Sequence, residues 1–139
     1  MWPITHIGDE INRSKWNNLN VLIVDDSPGL RLRLAEMLQT VVGLTVVGQA
    51  QSVAEASQAI RELNPNLVVL DLQLGDGNGI EVLRATKQVN PSIRFVIFTN
   101  QSDLQYRQRC AELGADYFLC KSTEAKSLVM IIEGLVTKQ

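Results

Sequence analysis

Short runs of apolar, often β-branched residues alternate along the chain with longer stretches in which apolar residues recur every three or four positions. The short runs are typical of strands in a parallel sheet covered on both faces, and the longer stretches are typical of amphipathic helices. The pattern occurs five times. The predicted strands cover residues 21–26, 45–50, 67–71, 94–99 and 116–121, and the last three predicted helices cover residues 80–89, 102–113 and 123–136.

Local signals mark the beginnings of several helices. Ser27, followed directly by proline, is a good N-cap for the first helix. Two further helices begin with pairs that fit a capping box, Ser52 with Glu55 and Ser102 with Gln105. These signals support the helical interpretation of the segments between the strands.

Five strand–helix units joined by short crossovers favour an α/β fold with one open, doubly wound sheet of five parallel strands and five helices. A closed eight-stranded barrel would need nearly twice the 139 residues of this chain. The expected strand order is the flavodoxin-like one, 2-1-3-4-5. The predicted domain covers residues 21–137, and residues 1–20, which include both tryptophans, form a polar N-terminal extension.

Composition excludes several classes of protein. The chain has 13 Lys and Arg against 15 Asp and Glu, so it lacks the basic excess of a nucleic-acid-binding protein. No apolar run approaches the roughly 20 residues of a membrane span, and the first residues do not resemble a secretion signal. Two cysteines and one histidine are too few for a disulfide framework or a four-ligand zinc site. We therefore expect a cytoplasmic protein with reduced thiols that binds neither membranes nor nucleic acid directly.

Polar side chains stand at the carboxyl ends of four predicted strands. Asp25 and Asp26 end the first strand, Asp71 the third, Thr99 the fourth and Lys121 the fifth. Ligands of doubly wound sheets bind beyond the carboxyl ends of the strands, where the strand order reverses. All five residues are therefore expected to share one site.

The chemistry of these residues points to phosphoryl transfer. Three converging carboxylates repel one another unless a cation lies among them, and a site made only of oxygen atoms suits Mg²⁺. The ammonium group of Lys121 and the hydroxyl group of Thr99 provide the charge and the hydrogen bond that a phosphoryl group requires. Asp71 is then free to act as the nucleophile and form an acyl phosphate.

An acidic pair after strand 1, a central Asp after strand 3, a Thr after strand 4 and a Lys after strand 5 together resemble the receiver domain of two-component response regulators, the CheY-like superfamily. The resemblance covers residues 21–137 and includes the glycine-rich loop 71–79. It implies that Asp71 is the phosphoacceptor and that Asp25, Asp26, Asp71 and the carbonyl group of Gln73 hold Mg²⁺.

The resemblance also implies how the phosphoryl group is bound and sensed. Lys121, Thr99 and the backbone amide of Asn100 would bind it. Thr99 would be the switch hydroxyl, and Phe118 would be the aromatic residue whose rotamer follows it. The output surface would then consist of the fourth helix, the fifth strand and the fifth helix.

Three residues depart from the family pattern. Ser122 follows Lys121 where the family commonly has a proline in a cis peptide, and a cis bond before serine costs about 3 to 4 kcal/mol. Asn100 replaces the usual small residue and is expected to crowd the entrance to Asp71. Gly75 replaces a proline and is expected to loosen the loop after Asp71.

These implications predict a phosphoacceptor that assists its own phosphorylation and dephosphorylation and is not an enzyme. The phosphoryl donor would be a histidine kinase or a phosphotransfer protein, and output would pass through a downstream effector protein or output domain. The chain would be a stand-alone receiver or a truncated one. Truncation is an alternative because residues 46–50 and 79–83 resemble receivers that precede helix-turn-helix domains. The apolar run 128–132 covers more than one face of the fifth helix, which fits deeper burial against the N-terminal extension and a homodimer or partner surface equally well.

Other interpretations remain open from sequence. A receiver-like interaction module would act without phosphorylation if Asn100 and Ser122 disable the switch. An aspartate-nucleophile phosphatase of the haloacid dehalogenase type uses the same residue types, but its nucleophile normally ends the first strand in an Asp-x-Asp motif. Taken singly, the acidic pair can merely cap the first helix, and a Thr or Lys at a strand end is ordinary.

Overall fold

The structure, a computed structural model, describes residues 18–137. The predicted N-terminal extension therefore lies mostly outside the described residues, together with Trp2 and Trp16. The strands are β1 (Leu19–Val24), β2 (Leu44–Ala50), β3 (Leu67–Leu70), β4 (Gln73–Leu74), β5 (Gly77–Asn78), β6 (Arg94–Thr99) and β7 (Tyr117–Cys120). The helices are α1 (Pro28–Gln39), α2 (Val53–Leu63), α3 (Ile80–Val89), α4 (Leu104–Glu112) and α5 (Ala125–Thr137).

Five strands form one parallel sheet in the order β2-β1-β3-β6-β7. Since β6 and β7 are the fourth and fifth strands of this sheet, the predicted flavodoxin-like order 2-1-3-4-5 is confirmed. The short strands β4 and β5 form a separate antiparallel hairpin that the sequence analysis did not predict. Two residues per strand are too few to produce a hydrophobic period.

Apolar cores lie on both faces of the sheet. Along β1, Val21 and Ile23 belong to the core covered by α1 and α5, whereas Leu22 and Val24 belong to the core covered by α2, α3 and α4. All four residues of β3 are buried. Because both faces are covered, the central strands are apolar throughout, and polar side chains are left to the strand ends.

The first two predicted helix caps are present. Ser27 Oγ accepts a hydrogen bond from the Leu30 amide (3.3 Å), and Ser52 Oγ accepts one from the Glu55 amide (3.1 Å). The return bond of the second cap differs from a standard capping box, because the Glu55 carboxylate accepts from the amide of Gln51 (3.1 Å). Both caps still satisfy amides that the helix itself leaves free.

The predicted capping box of Ser102 with Gln105 is wrong. Helix α4 begins at Leu104, and the residue before it, Asp103, makes no side-chain capping bond. The amide of Ser102 donates instead to the carbonyl group of Asn100 (3.0 Å). Ser102 therefore belongs to the turn that follows β6 and lies one residue too early to cap the helix.

Helix α5 uses most of its apolar run for the core. Leu128 and Ile132 are fully buried, and Val129 and Ile131 pack against the same core, whereas Met130 is 70% exposed. Within residues 18–137, no helix combines the length and the apolar character needed to cross a bilayer.

Candidate functional site

Four strands of the sheet deliver polar side chains to one edge. Asp25 follows β1, Asp71 follows β3, Thr99 ends β6 and Lys121 follows β7. The strands β1, β3 and β7 each end one or two residues earlier than predicted, so Asp25, Asp71 and Lys121 stand just beyond the sheet. The structure therefore brings these four predicted residues together in one crevice.

The crevice is unusual because it buries charge. Asp25, Asp71 and Thr99 are 2%, 4% and 0% exposed, and they are the buried polar residues of the described part of the chain. Burying carboxylates away from water is unfavourable unless they are paired. The contacts made by these groups must therefore supply hydrogen bonds and countercharge.

Asp71 has a partner on each carboxylate oxygen. Its Oδ1 accepts hydrogen bonds from the Thr99 hydroxyl (2.7 Å) and from the Gln73 amide (3.1 Å). Its Oδ2 accepts a hydrogen bond from Lys121 Nζ (2.8 Å). The carboxylate is held in one orientation at the centre of the site.

Lys121 joins the two buried carboxylates. Its Nζ also lies 2.7 Å from Oδ2 of Asp25. Burial by itself would lower the pKa of Lys121, but the hydrogen bonds to Asp25 and Asp71 outweigh burial and raise that pKa above its ordinary value. Lys121 is consequently a fixed positive charge at neutral pH.

Asp25 is buried, and its burial outweighs its hydrogen bonds in setting its pKa. Burial raises the pKa of its carboxyl group above the ordinary value, even though hydrogen bonds from Lys121 and from the Ser27 amide (2.9 Å) act in the opposite direction. Its carbonyl oxygen accepts a hydrogen bond from Nη1 of Arg31 (2.6 Å). Sequence analysis missed Arg31, since an Arg in the first turn of a helix gives no signal of its own.

The donor set fits a hard divalent cation. One carboxylate oxygen from each of Asp25, Asp26 and Asp71 lies within 4.8 Å of the other two, and Asp26 is open to solvent. Oxygen ligands with an exposed side are what Mg²⁺ prefers, since it keeps several of its waters. Gln73 lies at the start of β4, beside Asp71, and the ligand role of its carbonyl group stays a prediction.

Two of the departures from the family pattern are bonded to each other. The side-chain Oδ1 of Asn100 accepts a hydrogen bond from the Ser122 amide (3.1 Å), next to the backbone bond from the Lys121 amide to the Thr99 carbonyl (2.9 Å). The Asn100 side chain is therefore engaged with the neighbouring loop. All peptide bonds within residues 18–137 are trans, including the one that precedes Ser122.

Phe118 lies in β7, half-buried beneath a cation. The guanidinium group of Arg107 sits 4.7 Å from the centre of the Phe118 ring, and its Nη2 is 3.6 Å from Oε1 of Glu124. Sequence analysis did not find Arg107, because cation–π pairs between a helix and a strand leave no local pattern. The proposed switch roles of Phe118 and Thr99 stay predictions.

The family is established by comparison with known proteins. The family model of the response regulator receiver domain matches residues 21–133. The response regulator protein VraR of Staphylococcus saprophyticus is 30% identical over 114 residues, which are 82% of this chain and 54% of that protein. The chain spans about half the length of the curated relatives it matches.

Solved structures agree with this assignment. A two-component response regulator of the LuxR family from Aurantimonas sp. has a TM-score of 0.80 and 31% identity, with 86% of each chain covered. The non-phosphorylated HemR receiver domain of Leptospira biflexa has a TM-score of 0.78 and 31% identity, covering 87% of this chain and 96% of that one. This chain belongs to the response regulator receiver domain family, and its acidic pocket is formed by Asp25, Asp26 and Asp71.

Proposed function

We propose that this receiver domain takes up a phosphoryl group on Asp71 from a histidine kinase or a phosphotransfer protein. The observation that carries the proposal is the arrangement around the Asp71 carboxylate, which has the Thr99 hydroxyl at 2.7 Å and Lys121 Nζ at 2.8 Å. These are the donors that a phosphoryl group on Asp71 would meet. Carboxylate oxygens of the acidic neighbours Asp25 and Asp26 lie within 4.8 Å of Asp71 in the same site.

The transfer forms one bond and breaks one bond. A carboxylate oxygen of Asp71 attacks the phosphorus atom, and the P–N bond to the donor histidine breaks. The other ring nitrogen of that histidine carries a proton, so an acyl phosphate and a neutral imidazole result. Lys121 and Thr99 bind the phosphoryl oxygens where negative charge develops. Mg²⁺ held by Asp25, Asp26, Asp71 and the Gln73 carbonyl group would supply the remaining positive charge.

The phosphoryl group is lost by hydrolysis, with water as the nucleophile. Water attacks the phosphorus atom and the P–O bond to Asp71 breaks, which releases inorganic phosphate and the Asp71 carboxylate. The chain thus assists its own phosphorylation and dephosphorylation, and it is not proposed to be an enzyme that turns over a separate substrate. A phosphatase of the haloacid dehalogenase type is not favoured, because the single acidic residue that meets Thr99 follows β3, whereas that class places its nucleophile after the first strand.

Output is proposed to pass through the surface formed by α4, β7 and α5. Leu104, Tyr117 and Met130 are exposed apolar residues on these three elements. The recipient is a downstream effector protein or an output domain in the cytoplasm, and the match to this chain covers only 54% of the relative VraR. A homodimer through α5 stays a prediction, with Met130 as the residue it would use and sedimentation of the phosphorylated protein as its test.

Intact-mass analysis tests the proposal. The protein is incubated with phosphoramidate or acetyl phosphate, with and without Mg²⁺, beside Asp71→Asn and the exposed control Asp103→Asn. We expect one added phosphoryl group that requires Mg²⁺, is absent in Asp71→Asn and is retained in Asp103→Asn. No gain from small donors or from a panel of phosphorylated histidine kinases would contradict the proposal and favour a phosphorylation-independent interaction module. Steady release of phosphate from a small ester would favour a phosphatase.

A further inference from the structure

The β4–β5 hairpin closes directly against Asp71. At its base, the Gln73 amide donates to Asp71 Oδ1 (3.1 Å), and the Gly79 amide donates to the Leu72 carbonyl group (2.8 Å). A Cβ atom on Gly79 would overlap the carbonyl oxygen of Asp71, so only glycine permits this approach. The position of the hairpin and the position of Asp71 are therefore linked.

The tip of the hairpin is fastened to a different element. Asp76 Oδ1 accepts a hydrogen bond from the Val53 amide (2.7 Å), and its Oδ2 accepts one from the Ala54 amide (3.2 Å). These are the first two residues of α2, whose remaining free amide at Glu55 is bonded by Ser52. The cap of α2 is thus shared between a local residue and a residue 23 positions away.

The electrostatics of this contact are favourable. A carboxylate at a helix N-terminus interacts well with the exposed amides and the helix dipole. The hydrogen bond from Val53, assisted by that from Ala54, lowers the pKa of Asp76 below its ordinary value. Asp76 is consequently an ionised acceptor at neutral pH.

The hairpin is held to the core by Leu74, which is 7% exposed, whereas the turn residues Gly75 and Asp76 are exposed. A Cβ atom on Gly75 would meet nothing within 4 Å, and one on Gly77 would only reach van der Waals contact with Val53 at 3.4 Å. Within the described residues, Asp76 supplies the side-chain hydrogen bonds of this turn. Gly75 stands where the family usually has the more rigid proline, so the turn itself is fixed to α2 by the Asp76 contact, in addition to the packing of Leu74 in the core.

We infer that Asp76 is a positioning residue, which anchors the hairpin to α2, holds Gln73 against Asp71 and thereby sets the Mg²⁺ requirement of phosphorylation. The effect on phosphorylation rests on the proposed function, whereas the anchoring does not. Asp76 acts through the hairpin and touches neither the phosphoryl group nor the cation. An ordinary helix cap would affect only α2, whereas Asp76 should also affect the position of Gln73.

Amide hydrogen exchange tests the anchoring in the full chain. Asp76→Ala, Asp76→Asn and the control Asp103→Ala are compared with the wild type, because Asp103 precedes α4 without making a capping bond. The exchange rate of the Val69 amide, in the centre of β3, is the reference for changes in global stability. We expect the Gln73 and Gly79 amides to exchange about fivefold faster in Asp76→Ala than in the wild type. Their exchange rates should rise by a smaller factor in Asp76→Asn and should be unchanged in Asp103→Ala.

An exchange effect confined to Val53 and Ala54 would overturn the inference, since Asp76 would then be a helix cap alone. A second measurement follows the phosphorylation rate with phosphoramidate as Mg²⁺ is varied. We expect Asp76→Ala to raise the half-saturating Mg²⁺ concentration about fivefold and to recover most of the maximal rate at saturation. An unchanged Mg²⁺ requirement overturns the link to chemistry. A wild type that takes up no phosphoryl group removes the proposed function and that link together, while the exchange data still decide the anchoring.

Discussion

The side chain of Asn100 accepts a hydrogen bond from the backbone amide of Ser122, at 3.1 Å, and so ties the loop after β6 to the loop after β7. Both residues depart from the family pattern. A proline at 122 would have no N–H group to donate, and a glycine or alanine at 100 would have no side-chain oxygen to accept. The two departures are therefore complementary, and they join the residues that directly follow Thr99 and Lys121.

This relationship predicts coupling between positions 100 and 122. Asn100→Ala should lower the free energy of unfolding by about 1 kcal/mol, the usual contribution of one hydrogen bond. In a Ser122→Pro background, the same substitution should have almost no effect, because the donor is already gone. Urea denaturation of the four proteins measures both values. Equal losses in the two backgrounds would show that the bond contributes nothing to stability.

Asp25→Asn should stabilise the protein at neutral pH. Because the folded state raises the pKa of Asp25, its ionised form opposes folding at pH values above that pKa. The substitution should raise the free energy of unfolding at pH 7, because it removes the buried charge while Lys121 keeps its hydrogen bond to Asp71. The gain should shrink as the pH falls toward 3.8, the ordinary value, where the wild-type carboxyl group is protonated in the folded state.

Urea denaturation from pH 4 to pH 8 checks this pH dependence. The exposed variant Asp103→Asn serves as the control and should follow the wild type at each pH. A less stable Asp25→Asn protein at pH 7 would mean that the ion pair with Lys121 outweighs the burial of the carboxylate.

For the phosphorylation rate, the hydroxyl group of Thr99 should matter more than the shape of its side chain. Thr99 is fully buried, so Thr99→Val keeps the packing and removes the donor to Asp71. We expect phosphorylation to slow about tenfold in Thr99→Val, since hydrogen bonds to charged groups contribute roughly 1.5 to 3 kcal/mol. Thr99→Ser should retain most of the rate. Initial phosphorylation rates with phosphoramidate, followed on phosphate-affinity gels, compare the two variants. A Thr99→Val protein that is phosphorylated as fast as Thr99→Ser would contradict the prediction.

Asp26→Asn should separate cation binding from folding. Asp26 is exposed, so its substitution should change the free energy of unfolding by less than about 0.5 kcal/mol. Loss of one anionic ligand should raise the half-saturating Mg²⁺ concentration about tenfold. Phosphorylation rates across a Mg²⁺ titration measure the shift. An unaltered Mg²⁺ requirement would exclude Asp26 from the cation site.

The two cysteines should differ sharply in reactivity. Hydrogen bonding, first from the Ser122 side chain, lowers the pKa of the Cys120 thiol to about 6, whereas burial raises the pKa of Cys110 to about 11. Iodoacetamide at pH 7 should therefore label one thiol, Cys120, with a rate that is half-maximal near pH 6. Ser122→Ala should move that midpoint upward. Peptide mass spectrometry locates the label, and rapid labelling of Cys110 in the folded protein would contradict the assignment.

The residues at the strand ends could be predicted because they depend on local patterns. Asp25, Asp71 and Thr99 each follow or end a run of apolar residues that is buried on both faces. Lys121 follows β7, an apolar strand that lies at the edge of the sheet and is only partly buried. Such runs reveal where strands stop, and the parallel arrangement then sends every strand end to the same edge. Boundaries were less accurate, since β1 ends at Val24 and the acidic pair lies outside the strand.

Contacts between distant segments could not be predicted in this way. Asp76 gave no sign that it caps α2, because its partners are 22 and 23 residues away. The same holds for Arg107 over Phe118 and for Asn100 with Ser122. From sequence, residues 71–79 were only a glycine-rich loop, but the structure shows that Gly79 is required by its close approach to the Asp71 carbonyl group.

By itself, the sequence determined the strand order, the two covered faces of the sheet and the set of residues at its carboxyl edge. It could do so because burial imposes a period on apolar residues, and that period survives in a linear chain. Only the tertiary structure decided which oxygen of Asp71 meets Thr99 and which meets Lys121, and how the β4–β5 hairpin is anchored. Those features depend on hydrogen bonds between residues far apart in the chain, whose geometry exists only once the sheet has assembled.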